Sequence, residues 1–185
     1  MTDLISRNLP PHHVAGATLR VLVVTDPIVL AHARALLTSS PAGRTAYLDV
    51  DLHDVEKILA SDELAETIDL SEPVVLSLVA ILHFFPDDQD PYGIVRRLLE
   101  AVPAGSHLVV THATADHTPS MAQMIDAYHS RGIAAQARSA DELARFFEGL
   151  DMVEPGIQLV NRWRPDPGTP TEMIVPAYGG VGRKN

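Results

Sequence analysis

Apolar positions along this chain fall into short blocks, and the spacing within each block alternates between two kinds. Residues 20–25 (RVLVVT) form a continuous β-branched run that predicts a strand. Asp26-Pro27 then opens IVLAHARALL, whose apolar residues recur at helical spacing behind a proline in the first turn. The pair repeats. TAYLDVDL (45–52) is strand-like, Asp54 stands where it can cap a helix through VEKILA, and Asp62 can start another short turn. A third strand, VVLSLVA (74–80), is followed by His83-Phe84-Phe85-Pro86 and a burst of acids. Asp90 is then placed as an N-cap with Pro91 at the first helical position, and the helix YGIVRRLLEAV runs until Pro103-Ala104-Gly105 stops it. SHLVVTHA (106–113) is the fourth strand.

Three βα units in succession, with strands apolar on both faces, predict an α/β fold: a mostly parallel sheet covered by helices on both sides. Two further helices are expected at about 119–130 and 140–148, the second opened by a capping box, Ser139-x-x-Glu142. Beyond them the texture changes. MVEPGIQLVNRW and TEMIVPAYGGVGR, joined by the proline-rich RPDPGTPTE, predict an antiparallel pair closing one edge of the sheet. The glycine doublet Gly179-Gly180 in the last of these marks a bulge or close packing. No repeat or linker interrupts the chain, so residues 20–185 read as one domain after a separate segment, 1–19.

Composition narrows the function. A net charge of −10 with no basic stripe disfavours nucleic acid as a partner. With no cysteine there is no disulfide, thiolate metal site or thiol nucleophile. No stretch reaches the roughly 18 apolar residues of a membrane span, and the N-terminus lacks a signal-peptide core. A soluble, cytoplasmic protein acting on a small molecule is the expectation. Fingerprints of the types GxGxxG, GxxxxGK[ST] and GxSxG are also missing.

In an open parallel sheet, ligands bind beyond the carboxyl ends of the strands. Asp26, Asp49 to Leu52, Ala80 to His83 and His112 to Asp116 occupy those ends. An acid there can accept hydrogen bonds from ribose hydroxyls or an adenine amine, which suits Asp26 and Asp51; each could instead be a helix cap or a solvated turn residue. His83 could meet a ligand or act as a base, and could equally be a packed histidine bonded to a carbonyl. In HATADH (112–117) two histidines and an aspartate could ligate zinc or iron, but their spacing across a strand-to-loop junction is unlike a helical ligand pair, and no metal is assigned.

Taken together, DPIVLAHARALLTSSPAGRTAYLDVDLHD, LVAILHFFPDDQDPYGIVRRLLEAVPAGSHLVVTHATAD, FFEGLDMVEPGIQLVNRWRPD and YGGVGRK resemble a bacterial family of S-adenosylmethionine-dependent methyltransferases formerly classed as a domain of unknown function. The resemblance covers about residues 23–183. It implies a class I methyltransferase fold, Rossmann-like, with the methyl donor S-adenosylmethionine lying across the carboxyl ends of the first strands. It places Asp26, Asp51, Leu52, Val79 and His83 at the donor, with Leu78 and Ala80 beside them, and names no catalytic residue.

Two departures from the family pattern stand out. The family's first strand and its Asp-x-Gly-x-Gly turn have no counterpart, so the chain reads as N-terminally truncated relative to the family, its first clear strand matching the family's second. Where the family reads Val-Asp-Asn-Asp-Pro, this chain reads Val23-Val24-Thr25-Asp26-Pro27, which retains the acid before proline and loses the ribose acid. Weak donor binding follows as an expectation. Two functions therefore stand side by side: a methyltransferase for a small-molecule acceptor, and a non-catalytic methyltransferase-like domain that associates, with its own copies or another partner, through a sheet edge left exposed.

Overall fold

The computed structural model describes residues 20–23 and 45–185, the first four by backbone alone. Contacts divide the chain into two compact units, Met1–Leu70 and Ser71–Asn185. The predicted helix over IVLAHARALL and the candidate Asp26 lie outside the described residues.

In the first unit, β1 (Arg20–Val23) and β2 (Thr45–Leu48) pair in parallel, Arg20 opposite Thr45 and Val23 opposite Leu48. Two short helices follow, α1 (Val55–Leu59) and α2 (Asp62–Ala65). Among the described residues of this unit, Leu48, Leu52, Val55, Ile58 and Leu64 are buried apolar side chains. Asp54 does precede α1, but its side chain makes no cap bond; Oδ2 takes the Lys57 ammonium at 2.6 Å instead. Ser61, not Asp62, caps α2 by accepting the Leu64 N–H.

The second unit is built on a sheet ordered β3-β4-β7-β5, with β6 also on β7. β3 (Val75–Val79) and β4 (His107–Ala113) are parallel, joined by α3 (Pro91–Glu100). The Asp90 carboxylate accepts the Gly93 N–H and Pro91 opens the helix, as its sequence predicts. After β4 come α4 (Pro119–His129) and α5 (Ala140–Ala144), the latter with both bonds of the Ser139–Glu142 capping box in place. The expected second helix stops early, since residues 145–147 tighten into a 3-10 turn.

The four leading strands are found as two parallel pairs, β1 with β2 in the first unit and β3 with β4 in the second. One expectation is corrected: β3 is not buried along both faces, since Val75 and Val79 are 45% and 37% exposed while Leu78 is buried. At the carboxyl-terminal side, β5 (Leu150–Met152) and β6 (Gln158–Leu159) each pair antiparallel with β7 (Ala177–Lys184), which is itself antiparallel to β4. One long strand thus serves two short partners where the sequence predicts a simple pair.

Gly179-Gly180 sit in unbroken register with Thr111 and Val110, so the close-packing alternative holds and the bulge does not. Further along β7, a Cβ added to Gly182 would lie 2.9 Å from a Phe147 ring carbon and 3.0 Å from Leu150 Cδ1. Gly182→Ala is expected to lower the unfolding free energy by about 1–3 kcal/mol through overpacking, visible as a lower urea midpoint with unchanged slope; an unshifted midpoint would mean that Phe147 moves aside freely.

Candidate functional site

The carboxyl ends of β3 and β4 meet at a buried arginine. β3 ends at Val79, and Ala80 then takes a left-handed conformation (φ 54°) with its N–H bonded to Thr111 Oγ1 at 2.9 Å. A non-glycine residue in that region is strained, and such strain concentrates where a backbone must be re-aimed. The chain turns through a 3-10 segment, Leu82–Phe84, and a second, Asp87–Gln89, before α3.

Arg138 fixes this loop. Its side chain is fully buried. Nη1 donates to the Leu82 carbonyl at 3.2 Å and to His112 Nε2 at 2.8 Å, and Nη2 donates to the Phe85 carbonyl at 2.9 Å and to Asp87 Oδ1 at 2.6 Å. The guanidinium carbon stands 5.4 Å from the ring centres of both Tyr92 and Phe146. Main-chain bonds add to the frame: Gln136 N–H donates to the His83 carbonyl (2.7 Å), and Arg138 N–H to the Ala113 carbonyl (3.1 Å). Segment 136–138 therefore joins the two strand ends.

His112, the penultimate residue of β4, has both ring nitrogens engaged. Nδ1–H donates to the Ala113 carbonyl at 2.8 Å, which leaves Nε2 as the acceptor for Arg138. Burial, with the neighbouring Arg138 and His83 adding to it, pushes its pKa down to about 4. A histidine so bonded is not free to ligate a metal. Among the described residues no group of three His, Cys, Asp or Glu is arranged to hold one.

His83 stands edge-on to His112, ring centres 5.9 Å apart, and 4.2 Å from Phe84, which in turn meets Tyr128 edge-on. Its Nδ1 is buried without a hydrogen-bond partner, and burial first, then Arg138, lowers its pKa. Buried polar atoms are rarely left so. Val79 and His83 thus belong to one strand end in the second unit. The other predicted residues belong to the first: Asp51 lies in the exposed stretch after β2, and Leu52 is buried in that unit's core. Asp51 Oδ1 accepts the His53 N–H (2.9 Å) and contacts the His53 ring (2.5 Å). The backbone N–H is the main reason its pKa is lowered, and Oδ2 takes no hydrogen bond among the described residues.

Sequence reasoning missed Arg138, Asp87 and Gln136. Arg138 sits in the polar run QARSADE, and its partners lie 26 to 56 residues away; nothing local distinguishes it from a solvated loop residue.

Comparison with other proteins agrees with this architecture. A DUF574 family protein from Streptomyces avermitilis superimposes with a TM-score of 0.87 at 42% identity, over 94% of this chain and 68% of its own. A protein from Thermobifida fusca superimposes with a TM-score of 0.78 at 30% identity, over 89% of this chain and 62% of its own, so this chain spans about two thirds of such relatives. Human N-acetylserotonin methyltransferase, solved with S-adenosylmethionine, shares the fold at 12% identity (TM-score 0.55, over 90% of this chain and 40% of its own). No curated protein sequence matches the chain. The described sheet is mixed α/β of the methyltransferase type, and residues 11–185 match the S-adenosyl methyltransferase family, to which this chain belongs.

Proposed function

We propose that this chain transfers a methyl group from S-adenosylmethionine to a small-molecule acceptor. The observation that carries the reading is the strained Ala80 followed by His83, whose buried Nδ1 has no partner, at the carboxyl end of β3. A strand end of this kind suits a ligand that supplies the missing hydrogen bond, and the exposed Val79 offers it an apolar wall. In the first unit, Asp51 keeps one carboxylate oxygen open for a hydroxyl or amine. The donor would bring an activated methyl on a sulfonium. The protein's own contribution is then to bind, to orient and to exclude water.

Isothermal titration with S-adenosylmethionine tests this. A competent pocket at about −8 kcal/mol binds in the low micromolar range; lacking the ribose acid, worth about 1.5–3 kcal/mol, this chain is expected at roughly 10–100 µM. His83→Ala should weaken binding about fivefold, the worth of one neutral hydrogen bond. Low-micromolar binding would overturn the weakness inferred at Val23-Val24-Thr25-Asp26 and leave the reaction class standing.

A second reading, a binding domain without turnover, is favoured by β3, which among the described residues has a strand partner on one edge only, and by its exposed Val75 and Val79. No saturable heat with S-adenosylmethionine, together with self-association in sedimentation, would support it against the first.

A further inference from the structure

Just past β4, a second cluster of titratable groups lies apart from the arginine network. Tyr178 of β7 is paired with His112 across the ladder. Its hydroxyl donates to Asp116 Oδ2 at 3.0 Å, the same oxygen that accepts the Ala140 N–H at 3.2 Å, and it stands 2.9 Å from His117 Nε2. The Asp116 backbone N–H is in turn held by Thr114 Oγ1.

A phenol has one proton to give. Burial first, and then Asp116, raise the Tyr178 pKa, so the hydroxyl stays protonated and its hydrogen is committed to the carboxylate. The remaining lone pairs can only accept, so His117 Nε2 must carry the proton of that contact. His117 is exposed, and its Nδ1 is given no partner among the described residues. Among the described residues, the histidines at the carboxyl ends of β3 and β4 are spent or suppressed: His112 has both nitrogens bonded, and the free nitrogen of His83 is buried.

We infer that His117 is the proton acceptor of the transfer reaction, presented with Nδ1 open by a hydrogen-bond chain through the Tyr178 hydroxyl to the Asp116 carboxylate. This rests on the methyltransferase reading. As an acceptor hydroxyl or amine forms its new bond to carbon, the bond to the departing sulfur breaks with its electron pair kept on sulfur, and the acceptor's proton passes to Nδ1. The imidazolium so formed keeps its Nε2–H on Tyr178, one hydroxyl away from a negative charge. Asp116 from its own loop and Tyr178 from β7 are the titratable groups in hydrogen-bond contact; α5 contributes the backbone N–H of its first residue, Ala140, to the same carboxylate. Tyr178 and Asp116 are positioning residues.

The tautomer can be read without any acceptor. In nitrogen-15 long-range spectra of the full chain at pH 8, His117 should show a protonated Nε2 and a bare Nδ1, and Tyr178→Phe should return the ring to a mixture of tautomers; a protonated Nδ1 in the unaltered chain overturns the inference. Turnover is then followed as S-adenosylhomocysteine released with a panel of phenols and amines. His117→Gln should cost at least about 100-fold in that rate, while the titrated affinity for S-adenosylmethionine stays the same. A His117→Gln rate within about tenfold of the unaltered chain's also overturns it. Failure of the unaltered chain to bind S-adenosylmethionine would instead sink the methyltransferase reading, a result the tautomer measurement keeps distinct.

Discussion

Arg138→Leu is expected to destabilise the second unit by about 3–5 kcal/mol, the range for breaking a buried charged network by removing one partner. Leucine fills part of the space between Tyr92 and Phe146, so the loss is not mainly a cavity. It comes from the acceptors left behind: His112 Nε2 would be buried with no donor, and the carbonyls of Leu82 and Phe85 would each lose a charged one. Asp87 contributes less. Its side chain is 46% exposed and can turn to water, so Asp87→Asn should cost no more than about 1 kcal/mol although its ion pair with Arg138 is short. Lysine is no substitute for Arg138, since one ammonium cannot reproduce a planar fork reaching four acceptors. Urea unfolding of the three variants tests the ranking; a loss below 1 kcal/mol for Arg138→Leu would mean that the loop is held by its apolar packing. Since ordinary domains have about 5–15 kcal/mol in total, the expected loss is a large share.

Acidification should destabilise the protein well before carboxylates protonate. His112 has its folded pKa lowered from 6.5 to about 4. Between those values the unfolded chain carries a proton that the folded chain refuses, so stability is fully present above about pH 6.5 and falls as pH drops to about 4. At 1.36 kcal/mol per unit the loss approaches about 3 kcal/mol. His83, also lowered, acts in the same direction. The pKa of Asp87, depressed chiefly by the Arg138 hydrogen bond, has the opposite chemistry and a separate window: its contribution is present above the usual carboxylate value and fades only as pH falls below it. His112→Gln, whose amide oxygen can accept from Arg138 without titrating, should flatten the dependence between pH 6.5 and 4. If wild type and variant lose stability in parallel over that range, His112 is not the group responsible.

What the sequence disclosed and what it withheld follow from the range of the interactions. Asp90-Pro91 and Ser139-x-x-Glu142 act within one turn, so both helix starts are readable from a few letters and are found as read. The same logic misleads at Asp54, where Lys57 competes for the carboxylate that would otherwise cap α1. Strand ends can be located from apolar runs, which brings His83 into view; Val79 enters only through the family resemblance. The partners that give those ends their character were out of reach: Arg138 lies 56 residues from Leu82, and Tyr178 lies 62 from Asp116. No local pattern encodes a pairing across such distances. His112 and His117 read together as a metal-like string, whereas the fold sends them to different neighbours, one to Arg138 and one to Tyr178.

β7 is the last strand of the sheet in sequence and an inner strand in space, with β4 on one edge and β5 and β6 on the other. Synthesis runs in one direction, so for most of the time the second unit is being made, β4 offers a bare row of amides and carbonyls to whatever is nearby. Only when residues 177–184 have emerged can β4 and β5 belong to one sheet, after closing a loop of roughly 70 residues from His107–Ala113. Ribosome-bound chains stopped before Ala177 should therefore resemble aggregation-prone intermediates rather than smaller versions of the fold. A frameshift that spared everything up to Pro176 would leave every candidate residue in this unit except Tyr178, on a β3–β4 pair with nothing to join it to β5 and β6.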